Sequence, residues 1–487
     1  MTARHPFPFD TRALADRIAR HWDAEITGEL TEYIRLPAKS PHFDPQWREN
    51  GHIEAAVQQA LAWSKRQPIE GLKLEVIRLG DRTPVLYFDA PARGHGAGAK
   101  TVVLYGHLDK QPEMTGWREG MGPWTPVLEE GRLYGRGGAD DGYAIFASLA
   151  AIAALDAQGV ARPRCVGLIE TCEESGSYDL PAYLDFLAPR LGDVGLVIAL
   201  DSGAGNYEQL WVTTSLRGLV NGTLEVRILE EGVHSGDAGG VVPSSFRIAR
   251  QLLDRVDDSR TGVVTNAAFK CEIPAERVEQ ARQAAAIIGD QMWKRFPWAA
   301  CCDDPQTAGL FAEPVTKDPL ELVLNRTWRA ALAVTGADGL PAIGTAGNVQ
   351  RPYTSLKLSM RLPPLVDGPK AAATLKQLLE SDPPYKARVT FTGGGSTGWN
   401  APATAPWLAA ALDEASQALF GKPAAYMGEG GTIPFMGMLG ATFPGAQILV
   451  TGVLGPKSNA HGPNEFIDIE YAKKVTSASA MVIASVK

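Results

Sequence analysis

Four short, uninterrupted apolar segments, each bounded by turn residues, constrain the fold of this 487-residue chain most strongly. They lie at residues 101–105, 165–169, 195–200 and 447–451. Apolar runs of this length without alternation are typical of strands that are buried on both faces of a mostly parallel sheet. Between the first two lies an Ala-rich helical stretch at 143–158, which Gly159 ends. This succession of strand, helix and strand predicts an α/β domain.

The middle of the chain has a different pattern, in which apolar and polar residues alternate. Alternation with period two is typical of strands that have one face in water, as in an antiparallel sheet covered on one side. Helices are predicted at 244–257 and 369–381, where they could supply that cover. The alternating segments are residues 220–228, 355–362 and 386–392.

These patterns predict two domains, as expected for a chain of this length. Gly393–Gly395 is interpreted as a break that ends the antiparallel region, and a helix is predicted at 467–486. The fold class is therefore α/β: a domain with a mostly parallel central sheet, and an inserted α+β domain with an antiparallel sheet. The predicted partition is 1–212 and 395–487 for the first domain and 213–394 for the second.

Composition and charge exclude several classes of partner. The net charge of −8 gives no clustered basic surface for nucleic acid or for an anionic membrane. No apolar run approaches the ~18 residues of a membrane span, and residues 1–10 lack the apolar core of a secretory signal. We therefore expect a cytoplasmic protein with a small-molecule partner. The five cysteines are odd in number and irregularly spaced, which favours reduced thiols over disulfides or a zinc ribbon.

Acidic and histidine side chains follow the buried strands directly. The first run leads into His107 and Asp109, the second into Glu173 and Glu174, and the third into Asp201. Because the carboxyl ends of parallel strands meet at one edge of a sheet, these groups should converge there. Each motif alone is more often a surface pair or a helix cap. Three of them after three buried strands indicate a shared cation, since unneutralised carboxylates would repel one another.

The ligand types favour zinc. Imidazole and carboxylate without cysteine suit Zn²⁺, although Mn²⁺ or Co²⁺ would fit the same ligands. The Gly-rich loop at 134–143 adds Asp140 and Asp141 just before the long helix. Five or six ligands exceed the needs of one catalytic ion, so the sequence predicts two ions that share a carboxylate.

Together these motifs resemble the ordered signature of the M20 metallopeptidases, over nearly the whole chain. The resemblance is closest to the cytosolic non-specific dipeptidase and carnosinase branch. It rests on GHLD at 106–109, GRGGADD at 135–141, Glu173-Glu174, Asp201 and the much later AHG at 460–462. Further local matches are SLRG at 215–218, HSG at 234–236, SMR at 359–361 and EGGTIP at 429–434.

The resemblance implies a role for each metal-site residue. His107 and Asp201 would hold one zinc, Glu174 and His461 the other, and Asp140 would bridge them. Glu173 would act as general base, which suits a carboxylate beside an activated water. Asp109 would orient His107, as carboxylates behind ligating histidines do.

The inserted domain would be a lid and dimerisation domain of a homodimer. By the same resemblance, His234 would reach the partner subunit's active site and polarise the scissile carbonyl. Asn348 would contact substrate across the dimer, and Gly431 and Thr432 would also bind substrate. Arg361 would grip the substrate's C-terminal carboxylate, for which a guanidinium is well shaped. His234 as a turn residue and Arg361 as a solvent-facing strand residue are the structural alternatives.

The sequence departs from the family pattern at several positions. After Asp140 it continues Asp141-Gly142-Tyr143 instead of into Lys-Gly, and Ala401 replaces a histidine common in the dipeptidase branch. Residues 261–309 form an insertion without an assigned role, in which one amphipathic helix is predicted at 276–296.

The predicted function is therefore hydrolysis of the amide bond of dipeptides by a Glu-activated water at two zinc ions, as in a dipeptidase or carboxypeptidase-like metallopeptidase. An N-acyl- or N-carbamoyl-amino-acid amidohydrolase with the same centre stays open, since only the substrate pocket would differ. A non-catalytic metal-stabilised scaffold is disfavoured because it would not need Glu173 beside the ligands.

Overall fold

The computed structural model describes residues 7–94, 100–296, 298–299, 312–432 and 435–486. The chain divides into two compact units. The first comprises Met1–Thr214, Ala401–Met427 and Met438–Lys487, and the second comprises Ser215–Asn400 and Gly428–Gly437. Relative to the sequence-based partition, the boundaries fall at 215 and 401 instead of 213 and 395. The short segment Gly428–Gly437 also joins the second unit.

The strands of the described residues are, in chain order, β1 Lys73–Ile77, β2 Val85–Ala90, β3 Thr101–His107, β4 Val127–Glu129, β5 Arg132–Tyr134, β6 Cys165–Glu170, β7 Val194–Ala199, β8 Trp211–Leu216, β9 Gly218–Arg227, β10 Val233–His234, β11 Ala331–Asp338, β12 Val349–Gln350, β13 Tyr353–Leu362, β14 Arg388–Ser396, β15 Trp399–Asn400, β16 Ala425–Glu429, β17 Gln447–Val450 and β18 Phe466–Asp468.

The α-helices of the same residues are α1 Thr11–His21, α2 Thr27–Arg35, α3 Trp47–Asn50, α4 His52–Ser64, α5 Tyr143–Ala157, α6 Leu180–Leu191, α7 Ser235–Ala238, α8 Ser245–Leu253, α9 Ala275–Ile288, α10 Gln291–Lys294, α11 Pro319–Thr327, α12 Gly368–Glu380, α13 Pro406–Phe420, α14 Phe435–Thr442 and α15 Ile469–Ala484.

A six-stranded sheet in the order β1-β2-β6-β3-β7-β17 forms the centre of the first unit. The pairings β6–β3, β3–β7 and β7–β17 are parallel, whereas β1–β2 and β2–β6 are antiparallel. All residues of β3, β6 and β7 are buried, as their continuous apolar sequences require. The fold-class prediction of a mostly parallel central sheet is confirmed.

Helix α5 packs beside this sheet and is buried almost throughout. The stretch Gly138–Ala157 is long and apolar enough to cross a bilayer by length and composition, but its apolar window is entirely buried within the fold. This burial is the pattern of a core helix that is hydrophobic on all sides.

The second unit contains the predicted antiparallel sheet, in the order β11-β13-β9-β14. One face of β9 is buried at alternate positions, including Val220, Leu224 and Val226. That face shares a hydrophobic core with α8 and α12, through residues such as Ile248 and Leu375. Period-two strands covered by two helices on one side are therefore present, as predicted.

The expected break at Gly393–Gly395 is wrong, because β14 continues through all three glycines to Ser396. They pair with β9 in unbroken register. A Cβ atom at Gly393 would lie 2.2 Å from the carbonyl oxygen of Asn221, and one at Gly395 would lie 2.3 Å from that of Gly368. These glycines thus allow close backbone approach inside a strand instead of ending it.

The single helix predicted at 276–296 is also wrong, since α9 ends at Ile288 and a separate short helix, α10, follows. Gly289 separates them with φ of +54°, a left-handed conformation that glycine adopts without a Cβ penalty. Within the insertion at 261–309, Cys301 and Cys302 lie outside the described residues.

Candidate metal centre

The first candidate ligand lies at the carboxyl end of β3. His107 is buried, and its Nδ1 lies 3.1 Å from the carbonyl oxygen of Asp109 and 3.5 Å from that residue's carboxylate. The Asp109 carboxylate also accepts the backbone N–H groups of Glu173 and Glu174, at 3.1 and 3.0 Å. Asp109 therefore joins two ligand-bearing segments and leaves Nε2 of His107 as the nitrogen available to an ion.

One group of candidate ligands consists of His107, Asp140 and Asp201, all of which are buried. Nε2 of His107 lies 3.3 Å from Oδ1 of Asp140 and 3.9 Å from Oδ2 of Asp201. Asp201 follows β7, and Asp140 lies in the turn that leads into α5. One ligand atom from each residue lies within 4.8 Å of the others, a spacing that suits a shared cation.

A second group consists of Asp140, Glu174 and His461. Nε2 of His461 lies 3.0 Å from Oδ2 of Asp140 and 3.4 Å from Oε2 of Glu174. Asp140 therefore directs one carboxylate oxygen to each histidine. This arrangement is that of a carboxylate between two neighbouring cation sites.

Glu173 lies beside the first group without belonging to either. Its Oε2 is 4.0 Å from Nε2 of His107, and its backbone N–H is held by Asp109. Burial raises the pKa of Glu173 well above its usual range, and the neighbouring Asp201 adds to this effect. A buried carboxylate whose neutral form is favoured in this way holds a proton more readily than one in water, as a proton-transferring group must.

Without a cation, burial and mutual repulsion disfavour the charged forms of Asp201 and Glu174. Burial raises the pKa of Asp201 to about 7, with a further contribution from Asp140. Burial likewise raises the pKa of Glu174, and the negative charge of Asp140 raises it further. Burial by itself would also raise the pKa of Asp140, but the imidazoles of His107 and His461 lower it instead. Clustered buried carboxylates of this kind are stabilised by a cation.

The donor atoms fit metal ions. Nε2 of His107 is buried and has no hydrogen-bond partner among the residues that the structure describes. A buried polar atom without a partner is costly, and coordination would remove that cost. Each group combines one imidazole with two carboxylates, which is a ligand set suited to Zn²⁺.

One supporting residue, Gln111, was not predicted from the sequence. Its Nε2 donates a 2.6 Å hydrogen bond to Oε2 of Glu174. Gln111 follows His107 by four residues, so proximity to the motif was the available signal. Asp141, which the sequence offered beside Asp140, belongs to neither ligand group; it is buried and accepts the backbone N–H of His107 at 3.3 Å.

The strand-end carboxylate Glu170 belongs to neither ligand group, although it pairs with His107 across β6 and β3. Its Oε1 accepts hydrogen bonds from Tyr105 at 2.5 Å and from Ser177 at 2.9 Å. Burial raises the pKa of Glu170 to about 7. Glu170 therefore ties β6 to β3 instead of providing a metal ligand.

The second unit contains the other residues that the sequence singled out. His234 and Asn348 are exposed neighbours: His234 pairs with Val349 across β10 and β12, and Ser235 N–H donates to the carbonyl of Asn348 at 2.9 Å. Arg361 lies on β13, and its Nη1 donates to Oγ1 of Thr432 at 3.0 Å.

Gly431 precedes Thr432 and is exposed, with open space where a Cβ would be. The last two residues of the EGGTIP segment, 433 and 434, lie outside the described residues. The Thr432 hydroxyl also donates to the carbonyl oxygen of Arg217 at 2.5 Å. The sequence did not predict this contact.

Comparison with known proteins identifies relatives over most of the chain. Residues 103–485 match peptidase family M20/M25/M40. The chain is 27% identical over 469 residues to the cysteinylglycine-S-conjugate dipeptidase of Corynebacterium striatum, covering 93% of this chain and 94% of the relative. It is 25% identical over 391 residues to a Cys-Gly metallodipeptidase of Saccharomyces cerevisiae, covering 77% of each. The crystal structure of human carnosine dipeptidase 1 superposes with a TM-score of 0.73 at 20% identity, covering 98% of this chain and 99% of that one.

Proposed function

Because this chain belongs to the M20/M25/M40 family of peptidases, and is therefore a metal-dependent hydrolase, we propose that it hydrolyses the amide bond of dipeptides at a two-zinc centre. One observation carries the two-ion proposal: the carboxylate of Asp140 lies between His107 and His461, with one oxygen directed to each. The similarity to two dipeptidases supports the substrate class.

The proposed ligands follow from the two groups. His107 and Asp201 would hold one ion, Glu174 and His461 the other, and Asp140 both. Ions bound there would supply Lewis acidity, which lowers the pKa of a water molecule and polarises the scissile carbonyl. The same ligands would accept Mn²⁺ or Co²⁺, so zinc is the proposed ion on ligand type.

We assign the proton transfers to Glu173. It would accept the proton of the attacking water and deliver it to the leaving amine, whose protonation is required for the C–N bond to break. Its raised pKa and its distance of 4.0 Å from His107 support this role. Asp109 would keep the His107 ring in one orientation, consistent with the contacts of its carbonyl and carboxylate oxygens.

Arg361 is the proposed partner of the substrate's C-terminal carboxylate. Among the described residues no carboxylate forms an ion pair with Arg361, whose observed side-chain partner is the neutral Thr432 hydroxyl. Partial burial lowers the pKa of Arg361, so an anion would be favourable there. Gly431 and Thr432 would line the same position.

We further propose that the enzyme is a homodimer and that His234 and Asn348 act on the partner's substrate. Both are exposed and lie next to each other, which suits contacts outside their own unit. The edge strand β11 supports dimerisation, since its residues are largely exposed and it pairs only with β13 in the described sheet. Ile343, in the turn that follows, is 96% exposed. A cytoplasmic location stays a prediction.

A substrate panel tests the proposed activity. Release of free amino acids would be measured from dipeptides and, in parallel, from N-acetyl and N-carbamoyl amino acids. The proposal expects turnover of dipeptides, loss of that turnover after chelation, and recovery with Zn²⁺, Mn²⁺ or Co²⁺. Preference for the N-acyl or N-carbamoyl substrates would move the assignment to an amidohydrolase. Full dipeptide turnover after exhaustive chelation would refute the metal-dependent mechanism.

A further inference from the structure

The guanidinium of Arg136 lies between segments that carry the proposed metal ligands. It is 1% exposed, and its donors reach carbonyls of two separate loops. Nε donates to Pro112 at 3.2 Å, and Nη2 donates to the carbonyls of His461 and Gly462 at 3.0 and 2.9 Å. Nη1 contacts Oε2 of Glu465 at 2.5 Å. Arg136 thus connects three parts of the chain.

Glu465, which is fully buried, completes the connection. Its Oε1 accepts the backbone N–H of Gly137 at 2.9 Å, and its carbonyl oxygen accepts that of Gly135 at 2.9 Å. It therefore holds the turn that leads to Asp140. Gly137 has φ of +80°, and a Cβ there would lie 2.7 Å from the side chain of Lys110, so the turn is closely packed.

The position of His461 depends on its backbone more than on packing of its ring. The side chain is 55% exposed, unlike the fully buried His107. Its φ of +64° is a conformation that non-glycine residues seldom adopt without outside support. Arg136 supplies such support, because it binds the carbonyls of His461 and of the next residue.

The same guanidinium reaches the segment that holds Glu174. Pro112, whose carbonyl accepts from Nε of Arg136, follows Gln111, and Gln111 donates to the Glu174 carboxylate at 2.6 Å. Arg136 and Glu465 therefore contact the turn before Asp140 and the backbone of His461 directly, and they connect to Glu174 through Gln111. A lysine could not reproduce the contacts of Arg136, since a single ammonium lacks the planar fork of donors.

We propose that Arg136 and Glu465 are a positioning pair that sets the metal affinity of the Asp140–Glu174–His461 group without touching the ion or the substrate. The inference rests on the proposed two-ion function. If the proposal holds, loss of either residue weakens binding of the second ion much more than binding of the first. A general contribution to folding would not discriminate between the two ions.

Metal titration of the apoprotein, with a competing chelator and Zn²⁺, tests the pair. Arg136→Lys should bind the second ion ~10–100-fold more weakly, the usual effect of losing a residue that orients a ligand. Binding of the first ion should stay within about threefold, since Glu465 still holds the turn before the shared ligand Asp140 and the contacts of His107 and Asp201 are unchanged. His461→Ala provides the reference for loss of the second ion, and adding Arg136→Lys to it should cause no further loss.

Arg162→Lys is the matched control. Arg162 is also 1% exposed and also forms a buried pair, in which Nε and Nη2 contact the carboxylate of Asp156 at 2.7 and 2.9 Å. Asp156 lies in the last turn of α5, ~20 Å along that helix from the Asp140 turn at ~1.5 Å per residue. This variant should bind both ions as the wild type does, even if its melting temperature falls.

The outcomes separate the two proposals. A wild type that binds only one ion would overturn the two-ion function and this inference together. A wild type with two ions and an Arg136→Lys variant with equal affinities would overturn only the positioning role, as would equal weakening of both ions. If Arg136→Lys does not fold, as circular dichroism would reveal, Glu465→Gln takes its place. It keeps the size of the side chain, and selective weakening of the second ion is again required.

Discussion

The candidate metal centre of the first unit and the candidate substrate residues of the second unit differ in how they are built. In the first unit, His107, Asp140 and Asp201 are buried, and one ligand atom from each lies within 4.8 Å of the others. In the second unit, His234 and Asn348 are exposed; His234 ends the short strand β10, and Asn348 directly precedes β12. Buried strand ends bring the candidate ligands together within one unit, whereas the proposed roles of the exposed residues in the other unit would require substrate or a partner subunit.

Replacement of the proposed general base should give the largest effect and separates binding from chemistry in the first unit. Glu173→Gln should lower kcat by ~10²–10⁴-fold, the usual range for general acid–base catalysis. Its metal content should stay at the wild-type level, because Glu173 belongs to neither ligand group. Steady-state kinetics with metal analysis of the same sample measure both. Wild-type kcat would contradict the assigned role, and loss of metal would make Glu173 a ligand.

Replacement of Arg361 should have a smaller effect that depends on the substrate. Arg361→Lys should lower kcat/KM for a dipeptide by ~10–100-fold, since lysine keeps the charge but loses the second hydrogen bond of a bidentate pair, and a hydrogen bond to a charged group contributes ~1.5–3 kcal/mol. The C-terminal amide of the same dipeptide, which lacks the carboxylate, should be turned over almost equally by both enzymes.

Arg326→Lys is the control within the same unit, because Arg326 is already paired with Glu429 at 2.5 Å. It should change kcat/KM for the two substrates in equal proportion. An equal loss on acid and amide in Arg361→Lys would mean that Arg361 supports β13 and not the substrate carboxylate.

The first unit was more accessible to sequence-based prediction than the second. The buried runs predicted β3, β6 and β7, and the groups that follow them do converge in the structure. The convergence could be predicted because a parallel sheet brings the carboxyl ends of its strands to one edge. His234 and Arg361 were proposed by resemblance alone and stay predictions, since no local pattern distinguishes a substrate contact from a turn or a strand surface.

Other features depend on contacts that local patterns do not contain. The Gly393–Gly395 segment looked like a break, but its glycines admit the backbones of Asn221 and Gly368. The Arg136–Glu465 pair joins residues 329 positions apart in the chain. Such close approaches arise only when the tertiary structure is formed, so periodicity and turn signals could not predict them.

A subunit-mixing experiment should give the smallest signal, and it tests whether the second unit serves the partner's metal centre. Neither His234→Ala nor Glu173→Gln should have substantial activity alone. In a dimer that contains one of each, the subunit with His234→Ala keeps Glu173 and would receive an intact His234 from its neighbour. Random exchange in a two-fold dimer makes half the dimers mixed, each with one complete site, so about a quarter of wild-type activity should return.

A mixture of Glu173→Gln with His234→Ala/Glu173→Gln is the control, because it contains no intact Glu173 and should stay inactive. Light scattering would verify the dimer and the exchange of subunits. A monomer, or exchanged dimers without recovered activity, would confine His234 to its own subunit and remove the difference in how the two units serve the reaction.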